Sequence, residues 1–118
     1  MKYLLMFVSN DETTQRSEAE RAAISEKIGT WWTEHSQAGR ILNGEQLQGA
    51  DTATTVRHDH GDVSIVDGPF IVAKEEIGGY GLIDVPNLDA AIDMARSWPW
   101  GGVVEIRPVF EMGQESQG

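Results

Sequence analysis

The chain has 118 residues, 40% of them hydrophobic, which is enough for one domain around one modest core. Nine Lys and Arg against nineteen Asp and Glu leave a formal charge of -10, which opposes a nucleic-acid backbone and an anionic membrane surface. The absence of cysteine excludes disulfides, thiolate metal sites and thiol nucleophiles, and no apolar run approaches the roughly 20 residues a membrane span requires.

Residues 2–8 are apolar at both parities, with Tyr3, Leu5 and Phe7 on one face and Leu4, Met6 and Val8 on the other. That pattern predicts a strand buried on both sides. The apolar run is only about six residues long and leads into Asn10-Asp11-Glu12, so it does not read as a signal peptide, and a cytoplasmic location is expected. From Ser17 to Ala38, Ile24, Ile28, Trp31 and His35 recur at helical spacing, with Arg21, Ser25 and Thr33 opposite. This predicts a long amphipathic helix ending near Gly39.

Arg40 to Leu47 and Ala53 to Arg57 suit two further strands, and His58-Asp59-His60-Gly61-Asp62 suits the turn into Val63 to Val66, making a hairpin. Asp67-Gly68-Pro69 stops the strand, and Gly78-Gly79 is expected to break the chain again. Phe70, Lys74, Glu75 and Glu76 then fall on a loop or short helix between the two breaks. Tyr80 to Val85 predicts another strand, and Pro86-Asn87 starts a second helix whose stripe is Leu88, Ala91, Ile92 and Ala95. Val103 to Phe110 alternates as a half-buried edge strand, and the tail after Glu111 reads as disordered.

Strand, helix, strand, hairpin, strand, helix, strand is the order of a ferredoxin-like α+β sandwich with an inserted β-hairpin. Asp67-Gly68-Pro69-Phe70, Lys74-Glu75 and Gly78-Gly79-Tyr80 together resemble the signature of the YCII-related family, in its Asp-Gly-Pro-Phe subgroup. The likeness extends to Leu42-Asn43-Gly44-Glu45-Gln46-Leu47, Ala53-Thr54-Thr55-Val56-Arg57 and Val104-Glu105-Ile106-Arg107-Pro108, so a YCII-related domain is expected over 1–112 with a tail at 113–118.

Two helices cover one sheet face, while the first strand is apolar on both. A second copy would cover the other face, and the resemblance likewise implies a homodimer that pairs as a dimeric α/β barrel. It further implies either a cleft for a small polar organic molecule, with acid/base chemistry of the lyase or dehydrochlorinase type, or a non-enzymatic module acting in trans with an extracytoplasmic-function sigma factor. In other branches of the family a helix histidine and an aspartate are proposed as a catalytic pair. That histidine position falls near Ile28 here, so the pair does not carry over.

The expected site residues follow from these readings. Glu45, between Leu42 and Leu47 that are expected to point inward, and Asp67 are the candidate acid/base groups. Lys74 would orient an anion, beside Glu75, and His35 and Trp32 on the long helix complete the expected ligand-binding set. Near the helix C-terminus, His35 is expected to be favoured as an imidazolium. Trp98 and Trp100 suit either the cleft or a subunit interface. His58 and His60 sit at a hairpin tip too exposed for a closed metal site, so neither a metal nor another cofactor is expected.

Overall fold

The computed structural model describes residues 1–70 and 75–111. Its elements are β1 (Lys2–Ser9), α1 (Asp11–Thr14), α2 (Glu18–Gln37), β2 (Ile41–Gln46), β3 (Thr54–Asp59), β4 (Asp62–Asp67), β5 (Glu76–Asp84), α3 (Leu88–Arg96) and β6 (Val103–Pro108). Lys74 and the tail expected at 113–118 lie outside the described residues.

The apolar character of β1 at both parities follows from its place in the sheet. Four strands lie in the order β2-β5-β1-β6, every pair antiparallel, so β1 is hydrogen-bonded on both edges. α2 connects β1 to β2 and α3 connects β5 to β6, each crossing over one intervening strand, which is compatible with a ferredoxin-like fold. Tyr3, Leu5 and Phe7 are buried under Trp31 of α2 and Ala91 and Met94 of α3, with Ile41 and Ile83 from neighbouring strands. Leu4, Met6 and Val8 face the other way and are half-buried, as are Tyr80 and Leu82 beside them.

Local chemistry fixes the helix ends. Ser17 Oγ accepts from Glu20 N–H, and Glu20 Oε1 accepts from Ser17 N–H, both at 3.2 Å, forming a capping box at the start of α2. The Ser17 backbone N–H, and after it the Ser17 side chain, hold the pKa of the Glu20 carboxyl below its ordinary value. The short α1 has the same device in Asn10 and Thr13 and was not anticipated from the sequence. Trp31 Nε1 donates to Ser97 Oγ at 2.8 Å, and Ser97 Oγ donates to the Met94 carbonyl at 2.8 Å, tying α2 to the end of α3.

Three expectations change. Gly78 and Gly79 lie inside β5 rather than before it: Gly79 stands opposite Phe7 on one side and Gln46 on the other, while Gly78 falls at the register shift against β1 and its carbonyl accepts from Leu47 N–H at 2.8 Å. On α3 the inward residues are Ala91 and Met94, whereas Leu88 in its first turn is 48% exposed. Leu42 and Leu47 are exposed rather than inward, since the register shift between Ile41 and Asn43 interrupts the alternation of β2.

The hairpin β3–β4 forms its own two-stranded sheet. It turns through His60 and Gly61, both at positive φ, between the paired Asp59 and Asp62, as a two-residue loop of the I′ kind requires. Its base is closed by Gly68 N–H to the Ala53 carbonyl and by Thr55 Oγ1 to the Gly68 carbonyl, both at 2.7 Å. Val56, Val63 and Ile65 share one face of the hairpin and are exposed. Among the described residues, no helix is long and apolar enough to cross a membrane.

Candidate functional site

A helix layer packs on a sheet through side chains that fill the space between them, and glycines in the sheet leave that space open. On the face under α2, Gly44 of β2 and Gly81 of β5 are cross-strand partners, and Gly79 follows two residues before Gly81. Trp32 fills part of the gap. A Cβ on Gly44 would stand 2.6 Å from Trp32 Cη2 and 2.5 Å from the Tyr80 carbonyl oxygen, and one on Gly81 would stand 3.3 Å from the same ring atom. The indole therefore lies directly on peptide backbone. Beyond it the space stays unfilled, as a cleft of about 650 Å³.

The wall of the cleft comes from α2. Arg21, Ser25, Ile28, Gly29 and Trp32 border it, and their spacing puts them on one strip of the helix. This corrects the assignment of Arg21 and Ser25 to the outer face. The core strip through Ile24, Ile28, Trp31 and His35 and the cleft strip are neighbours around the helix, and Ile28 belongs to both.

Aromatic rings line the opposite side. Trp98 stacks on Phe7 with centroids 4.0 Å apart and planes inclined by 22°. Trp32 stands perpendicular to Trp98 with centroids 6.5 Å apart, so the two indoles form a corner. Trp100 also borders the cleft, its Nε1 donating to Ser9 Oγ at 3.3 Å and its ring carrying the Arg16 guanidinium 4.8 Å from the centroid. Trp98 Nε1 is buried without an acceptor among the described residues, which costs about 1–3 kcal/mol for a group of this kind. The rim adds Gln46, Leu47 and Glu76, and Glu76 Oε1 accepts from Ala50 N–H at 3.4 Å.

The residues singled out in the sequence are dispersed. Trp32 is in the cleft wall. Glu45 borders the cleft, but it shares a register row with Tyr80 and Met6, and the alternation of β2 turns its side chain to the face opposite Gly44. Asp67 pairs with Thr54 at the base of the hairpin and is exposed, away from the cleft border. Glu75 is exposed and its neighbour Glu76 is the one on the rim.

His35 lies two turns beyond Ile28, in a separate open groove on α2 with Glu34, Ser97 and Pro99. Its ring packs edge-on against Trp31, and its Nδ1 accepts from Arg40 Nε–H at 2.8 Å, which requires an unprotonated nitrogen. Burial, reinforced by the Arg40 charge and opposed by Glu34, lowers its pKa, so the expected imidazolium is corrected to a neutral ring. Among the described residues no three His, Asp or Glu side chains converge to hold a metal ion. His60 Nε2 and Asp59 Oδ1 approach within 3.5 Å at the hairpin tip, both largely exposed.

Arg21, Ser25 and the glycine floor were missed as site residues in the sequence. Their signal was a helix whose inward strip turns polar and small in its first half, opposite strands that carry glycine on the matching face. Replacing Gly44 by Ala forces its Cβ against the Tyr80 carbonyl and Trp32, and is expected to destabilise the fold by about 1–3 kcal/mol and shift the tryptophan emission. Chemical denaturation followed by fluorescence measures both; unchanged stability and spectrum would contradict the close approach.

A YCII-related domain model matches residues 1–113. An uncharacterized protein of Rhizobium meliloti (strain 1021) is 33% identical over 106 residues, covering 85% of this chain and 86% of the relative. Both matches run through the glycine-bearing strands and the aromatic-walled helix, and on them the chain belongs to the YCII-related family.

Proposed function

We propose that this protein binds a small organic molecule, apolar in body and polar at its end, in the cleft between α2 and the glycine strands. The observation that carries this reading is the corner of Trp32 and Trp98 beside Arg21, Ser25 and Gln46, over a floor of backbone. A concave apolar site with a few polar groups at its rim is what a small ligand requires.

Acid/base chemistry of the lyase or dehydrochlorinase type would need a titratable group facing the ligand. Asp67 and the Glu45 side chain are turned elsewhere, so in this reading Glu76 at the rim is the carboxylate available for proton transfer. The alternative, a regulatory module acting in trans with an extracytoplasmic-function sigma factor, draws on the hairpin, whose Val56, Val63 and Ile65 are exposed.

A thermal-shift screen against metabolites tests the binding reading. A ligand at a hundred times its Kd adds about 2.7 kcal/mol of stability. The shift is expected to survive Asp67→Ala and to disappear in Trp32→Ala. Loss with Asp67→Ala and retention with Trp32→Ala would move the site to the hairpin base, and stabilisation by a sigma factor with no metabolite response would favour the alternative.

We also propose that a second copy covers the open sheet face, where Leu4, Met6, Val8, Tyr80 and Leu82 have no helix above them among the described residues. Light scattering on a sizing column is expected to give twice the 13.0 kDa mass of one chain. Introducing a charge with Leu82→Asp should return the protein to monomer, and a monomeric parent protein would end the proposal.

A further inference from the structure

We infer that the ligand of this cleft is an aromatic ring carried on a short chain ending in a carboxylate, the ring against Trp32 and Trp98 and the carboxylate on Arg21; this rests on the small-molecule reading and names its ligand class. The starting point is an imbalance of charge. With nineteen acidic residues against nine basic ones, an arginine has acidic partners in abundance, yet Arg21 at the cleft border makes no ion pair among the described residues. Its guanidinium gives one hydrogen bond, from Nη2 to the Thr14 carbonyl at 3.0 Å. A guanidinium carries five N–H donors in a planar fork that matches a carboxylate bidentately, so most of its capacity is unused. Ser25, one turn further along the same strip, brings a hydroxyl to the same border.

The aromatic groups argue against a cationic ligand. A cation needs free ring faces around it. One face of Phe7 is taken by Trp98, and Trp100 is already covered by Arg16. What remains is the perpendicular corner of Trp32 and Trp98, where one Trp98 face is already on Phe7 and a flat ring can stack on one indole and meet the other edge-on. Glu76, the acidic group on the rim, accepts one hydrogen bond from the Ala50 amide at 3.4 Å, and the amine probe below tests whether it recruits a cation instead.

Spacing sets the length of the ligand. Arg21 and Trp32 are about three helical turns apart, roughly 16 Å along the axis, and the indole leans back toward the helix N-terminus. Arg21 leans the same way, to the Thr14 carbonyl, so it must leave that partner to meet the ligand, and an arm between ring and carboxylate shortens the gap that a directly attached carboxylate would leave.

Three probes with the same phenyl ring separate the possibilities: hydrocinnamate, its neutral amide, and phenylpropylamine, each titrated by tryptophan fluorescence and by calorimetry. Hydrocinnamate is expected to bind about tenfold or more tightly than either analogue. Arg21→Gln should erase that preference, and Arg21→Lys, which keeps the charge without the fork, should retain part of it. Arg21 is at the surface, so both variants are expected to fold, which circular dichroism verifies. Equal binding of the amide or the amine, or a preference that survives Arg21→Gln, overturns the carboxylate inference while leaving the cleft reading intact. If none of the three binds, the inference also falls, and the metabolite screen with Trp32→Ala then decides separately whether the cleft binds anything.

Discussion

The site depends on the approach of the Trp32 indole to bare backbone at Gly44 and Gly81. With a side chain at Gly44 the indole could not lie where it does, since a Cβ there would stand 2.6 Å from the ring. With Trp32 on the sheet and no side chains beside it, the first half of α2 is held off the strands and a cleft remains. The YCII-related domain thus uses one helix for two purposes. Trp31 is buried at 5% exposure, bonded to Ser97 and packed with Phe7, while Trp32, about 100° further around, faces the cleft.

The same division explains the composition of α2. A helix that served only to cover a core would carry apolar residues along its whole inner strip. Here the strip beside the core holds Trp32 at one end but Arg21, Ser25 and Gly29 at the other, where the neighbour is empty space rather than sheet side chains. Arg21 at a cleft border and a tryptophan corner at the far end give the site a polar end and an apolar end. The groups that looked most chemical in the sequence sit elsewhere: Asp67 at the hairpin base and His35 in its own groove, neutral and bonded to Arg40.

Much of the fold was legible because it rests on periodicity and punctuation. The apolar doubling of residues 2–8 marked the central strand, Ser17 and Ala38 marked the ends of the long helix, and the turn residues marked the hairpin. The cleft was less legible because it depends on which faces meet. Gly78-Gly79 reads as a chain break in one dimension, yet both lie within β5, where Gly79 pairs with β1 and β2 and the two border the cleft. Arg21 and Ser25 read as a solvated face because they are polar, and that they border the same cleft as the strand glycines is visible only in three dimensions. Glu45, expected as an acid/base group, stands at the cleft border, but its parity in β2 turns the carboxylate away.

The family placement extends these features to the matched relative only as sequence likeness, and the relative carries no assigned activity. The proposed location of the site is between α2 and the glycine strands. It is tested most directly by heteronuclear NMR of the labelled protein during titration with a bound small molecule. The account predicts that the indole N–H signals of Trp32, Trp98 and Trp100 and the amides of Gly44 and Gly79 shift, while the amides of the β3–β4 hairpin and of His35 stay in place. Shifts concentrated in the hairpin around Asp67, with those indole signals unmoved, would contradict it.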